Sequence, residues 1–196
     1  MSKGQETRDR ILLQALHQAS EVGLEGLTVG DLAGRVGMSK SGLYAHFASK
    51  EDLQCRVLDT AADQFVDLVV APALKEPRGL PRIRALFARW LDWATRQLSG
   101  GCPFVAAAVE FDDRPGAVRD RLVSHLKDVL GTIARAASIS VEEGHFREDM
   151  DPDQFAFEFW GILQAFHHYA RLFRHEDARA RADAAFEVLV AGAART

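Results

Sequence analysis

Cysteine is scarce in this 196-residue chain: there are two, Cys55 and Cys102, far apart and outside any CxxC or similarly close set. A disulfide-stapled fold and a cysteine-built zinc site are therefore not expected. No apolar run approaches the ~20 residues that cross a bilayer, so no membrane partner is expected. The start, Met1-Ser2-Lys3-Gly4-Gln5-Glu6, goes straight into polar, helix-like sequence and not into an apolar secretory segment. The expectation is a cytoplasmic protein with reduced thiols. Convincing alternation of apolar and polar residues is missing, which argues against strands. Internal repeats and low-complexity tracts are also missing. So are a nucleophile–base set, a phosphate loop and a metal-ligand spacing. The sequence thus offers no catalytic residue, cofactor site or metal site, and an enzyme is not the expectation.

Positive charge is in slight deficit overall, with 24 Lys and Arg against 28 Asp and Glu. The distribution is more telling than the total. Residues 1–50 carry six cations (Lys3, Arg8, Arg10, Arg35, Lys40, Lys50) and five carboxylates, a net +1 that leaves −5 for the remainder. A weakly basic head on an acidic body is compatible with DNA binding, although so small an imbalance is thin support by itself.

At 47% hydrophobic and 27% charged, the composition is that of an ordinary globular protein. The apolar spacing predicts an all-α fold of nine helices, with three in a helix-turn-helix domain over residues 1–50 and six in a body over residues 51–196. Helix one, about 6–23, buries Ile11, Leu12, Ala15, Leu16, Ala19 and Val22, and Gly23 stops it. Helix two follows Thr28, with Asp31 at the capping-box spacing, and ends at Gly37. Helix three starts at Ser39 and reaches about Phe47, with Leu43 and Phe47 inward. Helix four, capped by Ser49, continues to about residue 70 through Leu53, Val57, Leu58, Phe65, Leu68 and Val69. Later helices are expected at about 81–98, 103–111, 116–143, 152–173 and 176–192. Asp151-Pro152 is a clear start signal.

Helices two and three, joined by a Gly-containing turn, make a helix-turn-helix. The major groove admits one α-helix, and that helix must show donors instead of bulky apolar groups. Ser39, Lys40 and Ser41 supply them at the N-terminal turn. Lys40 suits guanine O6 or N7, or a phosphate. Tyr44 lies one turn on, and His46 and Lys50 follow, the latter suited to the sugar-phosphate backbone. Thr28 offers a hydroxyl and a helix N-terminus to another phosphate. Solvated side chains, and for Thr28 a simple cap, are the plainer alternatives.

The run Val36-Gly37-Met38-Ser39-Lys40-Ser41-Gly42-Leu43-Tyr44-Ala45-His46-Phe47-Ala48-Ser49-Lys50-Glu51-Asp52-Leu53 resembles the DNA-binding signature of the tetracycline-repressor (TetR) family. Gly101-Cys102-Pro103-Phe104 and Glu110-Phe111-Asp112-Asp113-Arg114-Pro115-Gly116 resemble one branch of its C-terminal domains. The resemblance implies a homodimer built on the last two helices, an approximately palindromic double-stranded operator, and repression relieved by a small-molecule effector in the body. Ala45 and Gly42 depart from the pattern. Each stands where the family often has a larger or hydroxylated residue.

An effector pocket, if present, is expected among helices four to eight, lined by Phe65, Trp90, Phe104, Trp160 and Phe166. Glu110, Gln164 or His167 would add polarity. Each ring is also a natural core residue. Cys102, ahead of a helix start, is either redox-sensitive or an inert buried thiol. Gly161 and Ala165, with the alanine stripe, Phe186 and Leu189 of helix nine, suit a four-helix dimer interface or packing within one chain. A small all-α enzyme and a helical adaptor are the rival functions. The adaptor leaves the polar face of helix three unexplained.

Overall fold

A computed structural model describes residues 3–195. Nine helices are present among them, at the places the periodicity gave: α1 (Lys3–Gly26), α2 (Val29–Val36), α3 (Lys40–Tyr44), α4 (Lys50–Phe65), α5 (Leu80–Asp92), α6 (Pro103–Phe111), α7 (Ala117–Glu142), α8 (Pro152–Arg171) and α9 (Ala178–Ala193). One isolated β-bridge, Phe146 with Ala194, is the extended pairing found among the described residues. The described residues form two compact units. The first holds residues up to 64 together with 98–125. The second holds 65–97 and the residues from 126 onward.

Local capping sets the starts. Thr28 accepts from the Asp31 amide at 3.1 Å, and Ser39 accepts from the Gly42 amide at 3.1 Å. At the foot of α4 the exchange is reciprocal: Ser49 Oγ accepts from the Asp52 amide at 3.0 Å, and Asp52 accepts from the Ala48 amide at 3.1 Å. Asp151 takes the Asp153 and Gln154 amides at 2.9 and 3.2 Å. Apart from the Ala48 amide, which precedes its helix, each donor is one that the first helical turn leaves orphaned.

Several details differ from expectation. α3 ends at Tyr44, short of Phe47, although Leu43 and Phe47 are both buried as expected. α1 breaks at Gly23 (φ 79°, ψ 166°) but resumes for a last turn to Gly26. Val22, expected inside, is 51% exposed. Helix four passes at Phe65 into a π-helical turn, Val66–Val70, and then a short piece, Ala71–Ala73. A π turn holds one more residue than an α turn. That rotates the stripe, so Val69 and Ala73 are buried and Leu68 is 41% exposed. A second π turn, Trp93–Gln97, continues α5.

In the first unit, Ile11, Leu16, Leu32, Leu43, Phe47, Leu53 and Leu58 form the core of the small N-terminal module. In the second, Phe87 stacks on Phe186 with centroids 4.0 Å apart and meets Phe159 edge-on at 5.5 Å. Trp90 meets Trp160 and Phe166 edge-on at 6.2 and 6.4 Å. Phe186 thus packs within the chain and leaves Leu189, half-buried, nearer the surface.

Candidate nucleic-acid interface

The outer face of α3 is polar and open. Ser39, Lys40, Ser41 and Tyr44 are all exposed, Tyr44 by 55%. Leu43 points the other way into the core. The Ser39 and Ser41 hydroxyls lie 3.1 Å apart. The stem of Lys40 crosses Gly30 at the start of α2, where an added side chain would stand 3.0 Å from its Cε. Four donor-bearing side chains within six residues therefore share one exposed helical surface, which is the geometry a groove-reading helix needs.

The remaining sequence-derived positions are more committed. Thr28 Oγ1 caps Asp31 and also donates to its carboxylate at 2.6 Å. His46 is half-buried, its ring 6.4 Å from that of Phe47. Lys50 Nζ donates to the Glu25 carbonyl at 2.7 Å and pairs with the Glu25 carboxylate at 3.6 Å.

That last contact belongs to a cluster the sequence reading missed. The final turn of α1 is held from two sides. From α4, Lys50 takes the Glu25 carbonyl, and Gln54 Nε2 donates to the Leu24 carbonyl at 2.8 Å in a buried bond. From the α6 segment, the Glu110 carboxylate accepts from the Glu25 amide at 3.0 Å, and Arg114 pairs with the Glu25 carboxylate at 3.6 Å. Glu110 fills the space beside Gly23 that a side chain there would occupy. Just before α6, Ser99 donates to Glu21 at 2.7 Å, and Gly100 donates to Ser20 at 3.2 Å, lying so close to the Ser20 carbonyl that any side chain would overlap it. Further up α4, the Asp59 carboxylate meets His125 Nε2 at 2.8 Å and Arg121 at 3.3 Å. Burial raises the Cys55 thiol pKa one turn away, Arg121 opposing and nearby carboxylates adding to the rise.

The expected effector residues are divided between the two units. Phe104 and Glu110 lie in the first unit; Phe65, Trp90, Trp160, Gln164, Phe166 and His167 lie in the second. Phe65 and Trp90 line a small apolar cavity there, of about 20 Å³, with Leu163 and Phe159. Trp160 touches Trp90 from the side, and Phe166 also borders a surface groove between α8 and α9. His167 is buried with neither ring nitrogen hydrogen-bonded, and burial, reinforced by His168 and Arg171, lowers its pKa to about 4. Cys102 is buried. Among the described residues no group of three or more His, Cys, Asp or Glu is placed to hold a metal ion, and no helix is long and apolar enough to cross a membrane.

Two family models match. Residues 11–54 fit the bacterial regulatory proteins of the tetR family, and residues 79–186 fit the tetracyclin repressor-like C-terminal domain. The chain belongs to the TetR family. It is 28% identical to the HTH-type transcriptional repressor KstR2 of Mycobacterium tuberculosis over 155 residues, covering 74% of this chain and 72% of that one. Matches to other curated relatives span 34% to 47% of their lengths. A TetR transcriptional regulator from Chloroflexus aurantiacus superposes with a TM-score of 0.87 at 27% identity, covering 97% and 96% of the two chains. AibR, solved with isovaleryl coenzyme A and operator DNA, shares the fold at a TM-score of 0.71 and 23% identity, covering 90% and 95%.

Within this TetR-family head, the two departures from the common pattern are both accommodated locally. Ala45 follows the last turn of α3 and is exposed. Gly42 donates its amide to the Ser39 cap, and a side chain there would stand 3.2 Å from that hydroxyl. The tight cap and the missing side chain go together.

Proposed function

We propose that this chain is a cytoplasmic, sequence-specific DNA-binding transcriptional regulator: a homodimeric repressor that a small hydrophobic ligand releases from an approximately palindromic operator. The observation that carries the reading is the open face of α3, with Ser39, Lys40, Ser41 and Tyr44 outward and Leu43 inward. Lys40 and the serines read base edges or the adjoining phosphates, and Tyr44 donates to a phosphate. Thr28 and His46 contribute at the margin. Lys50 contributes with whatever donors its bonds to Glu25 leave over. Binding falls steeply with salt, because each lysine–phosphate contact releases condensed counterions.

The dimer reading is supported by the groove between α8 and α9. Its volume is about 950 Å³, and Gly161, Ile162, Ala165, Val188 and Leu189 help line it. Phe157 and Val188 stand 71% and 73% exposed. A second copy brings the same two helices and covers the same surface in return, as two-fold symmetry requires. Two heads then enter successive major grooves about 34–36 Å apart. Release needs an effector that prefers a second arrangement; a coupling of ~1–3 kcal/mol suffices. The switch is assigned to α4, whose foot carries Lys50 and Gln54 onto the end of α1.

The test is selection of bound DNA from a random library. Two half-sites one helical turn apart are expected. Lys40→Ala with Tyr44→Ala is expected to remove binding to the selected DNA while the dimer stays folded. Undiminished affinity of the double variant overturns the site assignment.

A further inference from the structure

The second unit carries a groove that neither the reading head nor the α8–α9 surface uses. It lies between the π-helical end of α4, the start of α5 and the middle of α7, and its volume is about 480 Å³. Val70, Leu74, Leu86 and Ile139 make an apolar floor. Arg82, Lys127 and Arg135 stand around it, against one carboxylate in the lining, Asp128. Val70, Leu86 and Thr132 also line the small cavity that holds Phe65 and Trp90. Those three side chains are therefore the partition between a larger, cationic groove and a small, apolar cavity.

The partition is not hydrogen-bonded across the gap. Thr132 returns its hydroxyl to the Asp128 carbonyl of its own helix at 2.8 Å, leaving its methyl for the interior. The Val66–Val70 turn is π-helical, a form that recurs where function disturbs a helix. Arg82 holds the Glu76 carbonyl at 2.9 Å through Nε, and Arg135 pairs with Glu142 at 3.1 Å through one terminal nitrogen. Each guanidinium has five N–H groups, so both keep donors for a second partner.

We propose that this groove takes an amphipathic anion: an acyl chain that passes between Val70, Leu86 and Thr132 into the core, with a carboxylate or phosphate-ester head held by Arg82, Lys127 and Arg135. An apolar ligand alone makes no use of Lys127 or of the donors that Arg82 and Arg135 have left over. A compact anion leaves the apolar floor and the cavity behind it unexplained. Guanidinium groups match both kinds of head, since both offer paired oxygens to the planar fork. The small cavity supplies the regulatory consequence. As it stands it has room for about one water molecule. A chain that enters it therefore selects an expanded core over this one, which is the differential affinity that an effector must have.

The role as effector rests on the repressor reading; the binding itself does not. All three tryptophans of the chain, Trp90, Trp93 and Trp160, lie in this unit, and Trp90 lines the cavity. Intrinsic fluorescence of the full-length dimer is titrated with decanoate, decanoyl coenzyme A and decanol. Saturable binding is expected for one or both anions, about tenfold or more tighter than for decanol; which anion wins identifies the head group. Arg82→Gln, Lys127→Gln and Arg135→Gln together are expected to erase that preference. Gly131 borders the groove with nothing within 4 Å of the place a side chain would take. Gly131→Phe is expected to abolish binding, and Gly131→Ala, which leaves the groove open, to bind as wild type. Decanol binding as tightly as both anions, or Gly131→Phe binding like Gly131→Ala, overturns the proposal. Operator binding is measured on the same ligand-free preparation. Loss of DNA binding with the fluorescence response intact sinks the repressor reading alone. DNA binding with no anion response sinks this proposal alone.

Discussion

Replacing Gly23 by alanine tests whether the end of α1 is held from the α6 segment. Gly23 sits at φ 79°, ψ 166°, a region that is essentially glycine-only and costs about 1–3 kcal/mol for a residue with a side chain. The new methyl group would also overlap the Glu110 carboxylate. That carboxylate ends a flexible side chain and moves aside, but the Glu25 amide then loses its acceptor. A charge-assisted bond of this kind contributes about 1 kcal/mol once its partial exposure to water is allowed for. Gly23→Ala is therefore expected to cost about 2–4 kcal/mol, and Glu110→Ala about 1 kcal/mol. The pair is not additive. With Glu110 already truncated there is neither a carboxylate to displace nor a bond to lose. The double variant should cost about 1 kcal/mol less than the sum. Urea unfolding at matched slopes reads the cycle. Additivity within about 0.3 kcal/mol would refute the placement of Glu110 at the break, because sites that do not touch add.

Two further outcomes follow from the second unit. The His167 pKa is lowered from 6.5 to about 4, so the unfolded chain takes up this proton at a higher pH than the folded one. Stability from this group is complete above about pH 6.5 and is lost as pH falls toward 4, by at most ~3 kcal/mol; His167→Leu should flatten that part of the profile, and an unchanged slope counts against the buried neutral imidazole. At the α8–α9 groove, a side chain on Gly161 meets nothing within 4 Å in the single chain. Gly161→Leu should therefore leave the protomer folded but shift sedimentation from dimer to monomer, and an undisturbed dimer would move the interface elsewhere.

The parts of this structure that were legible in the sequence are those fixed by neighbours in the chain. Thr28, Ser39, Ser49 and Asp151 each cap an amide two or three residues on, so four helix starts could be read from spacing. Leu43 and Phe47 needed only a four-residue repeat. The π turn after Phe65 was not legible, because Leu68 continues an acceptable α-helical stripe and only packing decides which turn widens. The hold on α1 was not legible either. Its bonds join Glu25 to residues 25 and 85 positions away, and polar pairs at such range leave no periodic trace. The spacing therefore suggested a phosphate for Lys50 and a pocket for Glu110, but gave no hint that both also reach Glu25. Phe104 was ambiguous for a related reason. α6 buries Pro103, Phe104, Val105, Ala107 and Phe111, so its apolar pattern points in no single direction.

The same contacts bear on how a head this small holds its aim. α3 has five residues, far fewer than an isolated helix needs to persist in water. It also buries just Leu43 within its length. Its direction is therefore imposed by the helices around it, first α2, on which it packs and which in turn packs on α1. α1 and α4 are joined at Leu24 and Glu25 by Gln54 and Lys50, and Glu25 is also where Glu110 and Arg114 arrive from residues 103–114. A displacement of that segment cannot leave the α1 terminus in place unless the Glu25 contacts break first. These are exposed polar bonds, individually worth little, and so suited to exchange and not to permanent fixing. The buried bond from Gln54 to the Leu24 carbonyl is different: losing it deprives the buried Gln54 amide of its acceptor away from water, so α1 and α4 should move as one body while the Glu110 and Arg114 contacts make and break.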